Sequence, residues 1–435
     1  MYKIVSRLLI YSDMPQDTIL MQMADIIRRM DDGTQTKEEL VGRVFVQIKH
    51  LLQVATDYGF DRNLWHNYLT FILITSENPF SITCEKVGAS EGSVNFFAKG
   101  DFRAFMDLFG YDFSRLEQYL NIDCFTRISH YRAIGKKDLM YNKNVSEKVR
   151  ALSEKLETAQ NEDDFFDYVT GFYKAYGVGM FGLNKAFRIR EKFDGGVEFI
   201  AINNMDTVML DDLIGYEIQK KKLIDNTTAF VEGRKANNVL LFGDSGTGKS
   251  TSVKAIVNEF YDRGLRMIEI YKHQFKDLSS VIAQIKNRNY RFVIYMDDLS
   301  FEEFEVEYKF LKAVIEGGVE TRPDNILIYA TSNRRHLIKE NWSDRDDMEH
   351  ENGMHRSDTI EESLSLVIRF GVTINYSKPT QKEFFNIVIG LARRAGVLMP
   401  DEELKLEANR WELSHGGISG RTAQQFVNYL LGMQK

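Results

Sequence analysis

The chain has 435 residues, too many for one hydrophobic core, so two or three domains are expected. Its 43% apolar and 12% aromatic content excludes a disordered chain, and 5 prolines with 30 glycines exclude long Pro/Gly linkers. A formal net charge of −7 argues against broad non-specific nucleic-acid binding, although a local basic patch stays open.

The first residues, Met1 to Ile10, begin with positive charge but lack a sustained apolar stretch. Asp13, Asp17 and Asp25 follow, so no signal peptide is expected. No window approaches 18 uninterrupted apolar residues, which argues against a membrane span. Cys84 and Cys124 are two thiols in a long chain and read as reduced core thiols in a cytoplasmic protein.

From residue 1 to about 200 the pattern is mostly helical. Thr18 to Met30 carries Ile19, Leu20, Met23, Ile26, Ile27 and Met30 at helical spacing, and Asp31-Asp32-Gly33 is a stop signal. Leu40 to Thr56 repeats the period. Leu64 to Thr75 reads as a buried helix, and Val87 to Gly100, with its glycines, as a loop or turn. Val145 to Ala159 and Phe165 to Tyr176 follow as amphipathic helices. His66 and His130 are isolated and read as ordinary core or surface histidines. Phe193 to Ile200 looks like a turn entering a short strand, and we place the domain boundary there.

Val208 to Glu217 is an apolar turn with a glycine, positioned either to cover a base (Ile214, Gly215) or as an ordinary loop. A helix from about Ile218 to Gly233 follows. Next, the apolar run from Val239 enters Gly243-Asp244-Ser245-Gly246-Thr247-Gly248-Lys249-Ser250-Thr251, which opens a helix. Strand, glycine-rich turn and helix N-terminus are what a phosphate-binding P-loop, or Walker A motif, requires. The glycines let successive N–H groups converge on phosphate oxygens, and the helix dipole adds to them. Lys249 would reach the β- and γ-phosphates, and the Ser250 hydroxyl would ligate Mg²⁺.

Met267 to Tyr271 reads as a strand and Leu278 to Arg288 as a helix. Arg291 to Met296 is an apolar strand ending in Asp297-Asp298, a Walker B arrangement. Asp297 would hold the Mg²⁺ shell, and Asp298 would orient or deprotonate the attacking water. Phe304 to Glu316 is an amphipathic helix. Asn325 to Thr331 is a strand whose tip carries Asn333, which either reaches the γ-phosphate or lytic water or caps a helix near Arg335. Asn341 to Glu362 is acid-rich and includes His350 and His355. Without fixed ligand spacing it reads as a solvated insertion rather than a metal site. Val372 to Tyr376 is the last strand. Helices over Pro379 to Ala395, Asp401 to Leu413 and Ser419 to Leu431 would form a lid, with Arg421 able to reach back to the phosphates.

These elements predict an α/β fold: a parallel five-stranded P-loop NTPase sheet flanked by helices, with a C-terminal helical lid and a mostly helical N-terminal domain. The expected domains are 1–200 for partner recognition, 201–377 for the nucleotide and 378–435 for the lid.

From about Val208 onward the chain resembles an AAA-type (AAA+) ATPase. More narrowly it resembles the bacterial family called domain of unknown function 815. The resemblance rests on Leu213 to Glu217, Gly243 to Ser250, Met296 to Phe301, Ala330 to Arg335 and Ser419 to Ala423. It implies a Mg²⁺-dependent ATPase with Asn333 as sensor 1 and Arg421 as sensor 2. It also implies ATP-dependent assembly into a ring of identical subunits, in which a neighbour's arginine completes each site. Arg369 stands where that arginine belongs, with Arg334 or Arg335 as alternatives. Two positions depart from the pattern: Ile368 replaces an acid before Arg369, and Asp298 replaces the commoner Glu. The expected activity is ATP hydrolysis coupled to motion on an unknown client. The alternatives are a nucleotide-gated binding protein with negligible turnover and a helicase-loader-like protein acting on nucleic acid.

Overall fold

The computed structural model describes residues 1–133, 143–192, 195–203, 205–301, 307–316, 323–333 and 367–433. Two compact units divide between Asn184 and Lys185. This is earlier than the expected boundary at 200, because the segment after Lys185 pairs into the sheet of the second unit.

The first unit is helical. Thr18 precedes the helix Ile19–Asp32, which Gly33 ends at φ 61. The next helix, Lys37–Tyr58, starts with a capping box: Thr36 accepts from the Glu39 N–H and the Glu39 side chain caps Thr36. Leu64–Thr75 runs as expected, almost wholly buried. Val87 to Gly100 is not simply a loop, because the helix Ser93–Phe109 begins inside it. Gly92 and Gly100 read as breakers, yet Ala98, Phe102, Phe105 and Leu108 recur on one face and are buried, so core packing overrides the glycine signal. Two buried polar devices tie this core together. The Asp101 carboxylate accepts from the backbone N–H groups of Leu9, Ile10 and Tyr11 at 2.8 to 3.1 Å. The Tyr11 and Tyr173 hydroxyls pair at 2.7 Å, and Tyr173 donates to the Leu73 carbonyl. His66 bonds to Glu157 and to the Phe109 carbonyl, the structural role expected of it. Cys84 and Cys124 are free, and burial pushes each thiol up to about 11.

The second unit is built on a seven-stranded sheet: β1 (Ala186–Glu191), β2 (Val197–Ala201), β3 (Val239–Gly243), β4 (Leu265–Glu269), β5 (Arg291–Met296), β6 (Ile326–Ser332) and β7 (Val372–Tyr376). Their order is β2-β1-β4-β5-β6-β3-β7. The five expected strands form the parallel block from β4 to β7. The other two correct the expectation of a five-stranded sheet: β1 joins β4 in parallel, and β2 folds back antiparallel on β1. Burial explains the strand types. β5 and β6 are apolar runs buried along nearly their whole length, as parallel central strands must be, whereas β1 alternates from Phe187 to Arg190. Because β3, β5 and β6 run parallel, the Gly243 turn, Asp297 and Asn333 emerge at one edge.

After β7, the helices Gln381–Arg394, Asp401–Ser414 and Gly420–Met433 pack around their own core of Phe384, Val388, Leu404, Ala408, Phe426 and Val427. The first of them begins with a Thr380–Glu383 capping box rather than at Pro379. Among the described residues no helix is long and apolar enough to cross a membrane. Residues 341–362 and Arg334 and Arg335 lie outside the described residues.

Candidate nucleotide site

The loop from Gly243 to Lys249 takes its shape from glycines where a side chain would not fit. At Gly243, φ is +127 and a Cβ would lie 2.3 Å from the Tyr376 carbonyl oxygen. At Gly246, φ is +77 and a Cβ would meet Ser419 Oγ at 3.0 Å, while the Gly246 carbonyl accepts from the Arg421 N–H at 3.1 Å. Gly248 sits at φ 91 as the N-cap of the helix Lys249–Phe260. Thr247 Oγ1 donates to the Asp244 carbonyl, and Asp244 Oδ2 accepts from the Lys378 N–H, which pins the loop to the segment after β7.

Lys249 is 6% exposed and its ammonium donates to the Gly243 carbonyl (2.8 Å), the Asp244 carbonyl (2.7 Å) and Asn333 Oδ1 (3.0 Å). Burial lowers its pKa below the ordinary lysine value, and the nearby Asp298, Asp244 and Asp297 carboxylates oppose that shift. Beside it, three hydroxyls converge on a single carboxylate oxygen. Ser250 Oγ, Tyr295 OH and Thr331 Oγ1 donate to Asp297 Oδ1 at 2.7, 2.7 and 2.5 Å. Burial works to raise the Asp297 pKa, but the bonds from Thr331, Ser250 and Tyr295 outweigh it and hold the carboxyl below its ordinary range. Burial also drives the Tyr295 hydroxyl far above its usual value, so it remains a donor.

Asp298 stands at φ +50, a left-handed conformation that costs a non-glycine residue roughly 1–2 kcal/mol. Its N–H donates to Thr331 Oγ1 at 3.0 Å, and its Oδ1 accepts from Asn333 Nδ2 at 2.7 Å. Asn333 therefore links Lys249 to Asp298 through its two amide ends.

The cleft over this edge encloses about 1050 Å³. It is lined by Ser245, Gly246, Thr247, Gly248, Lys249, Ser250 and Thr251, with Asp297, Asp298, Asn333 and Arg421. The apolar side chains of Val208, Leu213, Ile214, Ile387, Leu391 and Ala395 also line it, together with Asp206, Asp212 and Arg394. The turn expected to cover a base thus lines the cleft through Ile214. Gly215 sits in that turn at φ +84, a backbone conformation that favours glycine. The lid approaches closely here, since a Cβ on Gly390 would lie 2.4 Å from Ile214 Cδ1. Arg394 donates to the Asp211 carbonyl and reaches Asp212 Oδ1 at 3.4 Å, tying the lid to the same turn.

Among the expected site residues, Gly215, Gly243 and Asp244 shape the loops without lining the cleft, and Arg369 is not brought to it at all. Arg369 is exposed and precedes β7, so it lies at the sheet edge where β3 begins, opposite the edge where the P-loop follows β3. Sequence reasoning missed Tyr295, Thr331 and Arg394. The first two were within reach, because each lies two residues before a site residue on a strand, and side chains two apart share a face. Arg394 carries no such local signal, since only lid packing brings it to the cleft.

No curated protein matches the chain. Among solved structures, RuvB of Thermotoga maritima, a Holliday junction branch migration motor, is 19% identical over 52% of this chain, with a TM-score of 0.37. The chain covers 64% of that protein, less than two thirds of its length. The FIGL-1 AAA domain in complex with ADP is 18% identical over 52% of this chain and 73% of its own, with a TM-score of 0.34. Likenesses this distant say nothing about activity. The family described as "Protein of unknown function (DUF815)" matches residues 183–434. That match spans more than half of the chain and takes in the whole P-loop unit and its lid, and the protein is a member of the DUF815 family.

Proposed function

We propose that the protein binds ATP with Mg²⁺ in this cleft and hydrolyses it to ADP and phosphate, coupling turnover to movement of the lid. The observation that carries this reading is the meeting of Lys249, Ser250, Asp297, Asp298 and Asn333 at one sheet edge beneath a glycine-shaped loop. The cleft is large enough for a nucleoside triphosphate, with apolar side chains available to a base and Lys249 and Arg421 available to phosphates. A hydroxyl and a charged carboxylate 2.7 Å apart are hard oxygen donors of the kind Mg²⁺ takes. Ser250 would hold the ion directly and Asp297 through water. The ion's contribution is to neutralise charge on the β- and γ-phosphates.

Lys249 would exchange its bonds to the loop carbonyls for phosphate oxygens. Asp298 would orient a water towards the γ-phosphorus and take its proton as the β–γ bridging bond breaks and ADP leaves. Asn333, already bonded to Lys249 and Asp298, would report the γ-phosphate. Arg421, whose backbone is bonded to Gly246, would carry that state into the lid. Exposed and remote from its own cleft, Arg369 suits a trans-acting role, so we propose a ring of identical subunits on ATP binding. The helical first unit would engage the client, and the free thiols suit a cytoplasmic setting.

With Mg²⁺ and ATP the purified protein should release phosphate, and Lys249→Ala should not. Equal release by the two would end the enzyme reading. One observation favours a slower, gate-like variant: the Asp298 carboxylate, one methylene shorter than Glu, is already engaged by Asn333. Tight ATP binding with negligible phosphate release would select that reading.

A further inference from the structure

Thr331 is the last-but-one residue of β6 and is 1% exposed. Two of its groups grip the Asp297–Leu299 turn through three hydrogen bonds. Its hydroxyl donates to Asp297 Oδ1 at 2.5 Å and accepts the Asp298 N–H at 3.0 Å, and its carbonyl accepts the Leu299 N–H at 2.7 Å. One side-chain oxygen is therefore shared between the carboxylate of the first acid and the backbone of the second. The backbone it holds is the one at φ +50, a left-handed conformation in which the bond from the Asp298 N–H to Thr331 Oγ1 helps to hold it. Tyr295 supports the same arrangement from one side only, since its hydroxyl reaches Asp297 and not Asp298.

We infer that Thr331 is a positioning residue that sets the spacing of the two acids, aiming Asp297 at the ion and Asp298 at the water. This rests on reading the cleft as a Mg²⁺–ATP site, and it adds a role for a hydroxyl that the nucleotide need not touch. Partners of this kind orient a metal-associated carboxylate, and their loss typically costs about 10–100-fold in metal affinity or activity.

The test uses the full-length protein and a fluorescent ATP analogue, titrated with Mg²⁺ from an EDTA-treated start, alongside phosphate release. Thr331→Val, nearly the same shape without the hydroxyl, should raise the Mg²⁺ midpoint for nucleotide binding about tenfold or more. Metal-free nucleotide affinity should stay at the wild-type value, and turnover at saturating Mg²⁺ should fall by about 10–100-fold. Thr331→Ser restores the hydroxyl and should recover both. Tyr295→Phe should raise the Mg²⁺ midpoint with a smaller loss of turnover, because it leaves Asp298 held. A wild-type midpoint in Thr331→Val, or equal damage in the Ser and Val variants, overturns the inference. If Thr331→Val does not fold, a defective Thr331→Ser or an unshifted Tyr295→Phe midpoint overturns it instead. Wild-type protein that binds nucleotide but releases no phosphate ends the ATPase reading alone, and the midpoints still decide the role of Thr331.

Discussion

Gly243→Ala tests whether the phosphate loop is shaped by backbone contact rather than by glycine's freedom alone. A Cβ at this position would lie 2.3 Å from the Tyr376 oxygen and 2.7 Å from its carbonyl carbon, both backbone atoms that cannot swing aside. Residues 243 and 376 are register partners between β3 and β7, so relief requires the two strand ends to part. Parting them breaks the 3.0 Å bond from the Asp244 N–H to the Tyr376 carbonyl. The unfavourable φ costs roughly 1–3 kcal/mol, the overlap roughly 1–3, and the lost hydrogen bond about 1, for a total near 3–7 kcal/mol. For a unit of this size each kcal/mol lowers Tm by roughly 2–4 °C, so a drop on the order of 10 °C is expected by calorimetry. Gly264→Ala is the internal comparison, with φ +89 and nothing within 4 Å of its Cβ. It should lose only the conformational part, roughly 1–3 kcal/mol. Equal drops in Tm for the two variants would refute the contact argument.

Other perturbations reach different parts of the molecule. Asp101→Ala leaves three N–H groups, the Tyr11 one buried, without their carboxylate and should destabilise the helical unit by roughly 1–3 kcal/mol, measured by chemical denaturation. Asp25 loses charge stabilisation to burial but regains more from Arg29, Arg43 and Arg28, which bring its carboxyl from 3.8 down to about 2. A carboxyl lowered on folding stabilises the protein above its unfolded pKa, and that stability fades as pH falls from about 4 towards 2. Wild type should therefore exceed Asp25→Asn at neutral pH by about 1 kcal/mol, solvent screening these partly exposed pairs, and converge with it near pH 2 in acid-denaturation curves. Gly390→Ala should push Ile214 into the cleft and weaken binding of a fluorescent ATP analogue by about tenfold, roughly 1.4 kcal/mol. Adding Ile214→Val, which removes the clashing Cδ1, should recover most of that loss; failure to do so would sink the contact as its cause.

Much of this was legible in the chain because local rules act there without competition. Leu64–Thr75 and Val372–Tyr376 fall where periodicity and apolar runs place them, and Gly33 ends the helix Ile19–Asp32 where the stop signal lies. The P-loop was legible for a stronger reason. Glycines at 243, 246 and 248 have no local alternative when backbone must curl before a helix, so the motif carries its conformation with it. Val87 to Gly100 failed as a loop because its glycine signal was outvoted by a buried face that extends to Leu108, and burial is a property of what packs against that face.

Tertiary structure decided what depends on partners distant in sequence. β1 has only four alternating residues, and its place in the sheet comes from pairing with β4, far along the chain. Asp297 could be read as an acid at a strand end. That Ser250, Tyr295 and Thr331 all point at one of its oxygens follows from three strands and a helix meeting at one edge. Arg394 reaches the Asp211–Asp212 turn only because the lid folds back over it. A glycine-rich loop between a strand and a helix was written in the local chain. The fold determined how its acids are held, because side-chain spacing across a sheet is set by strand order and register and leaves no mark on local sequence.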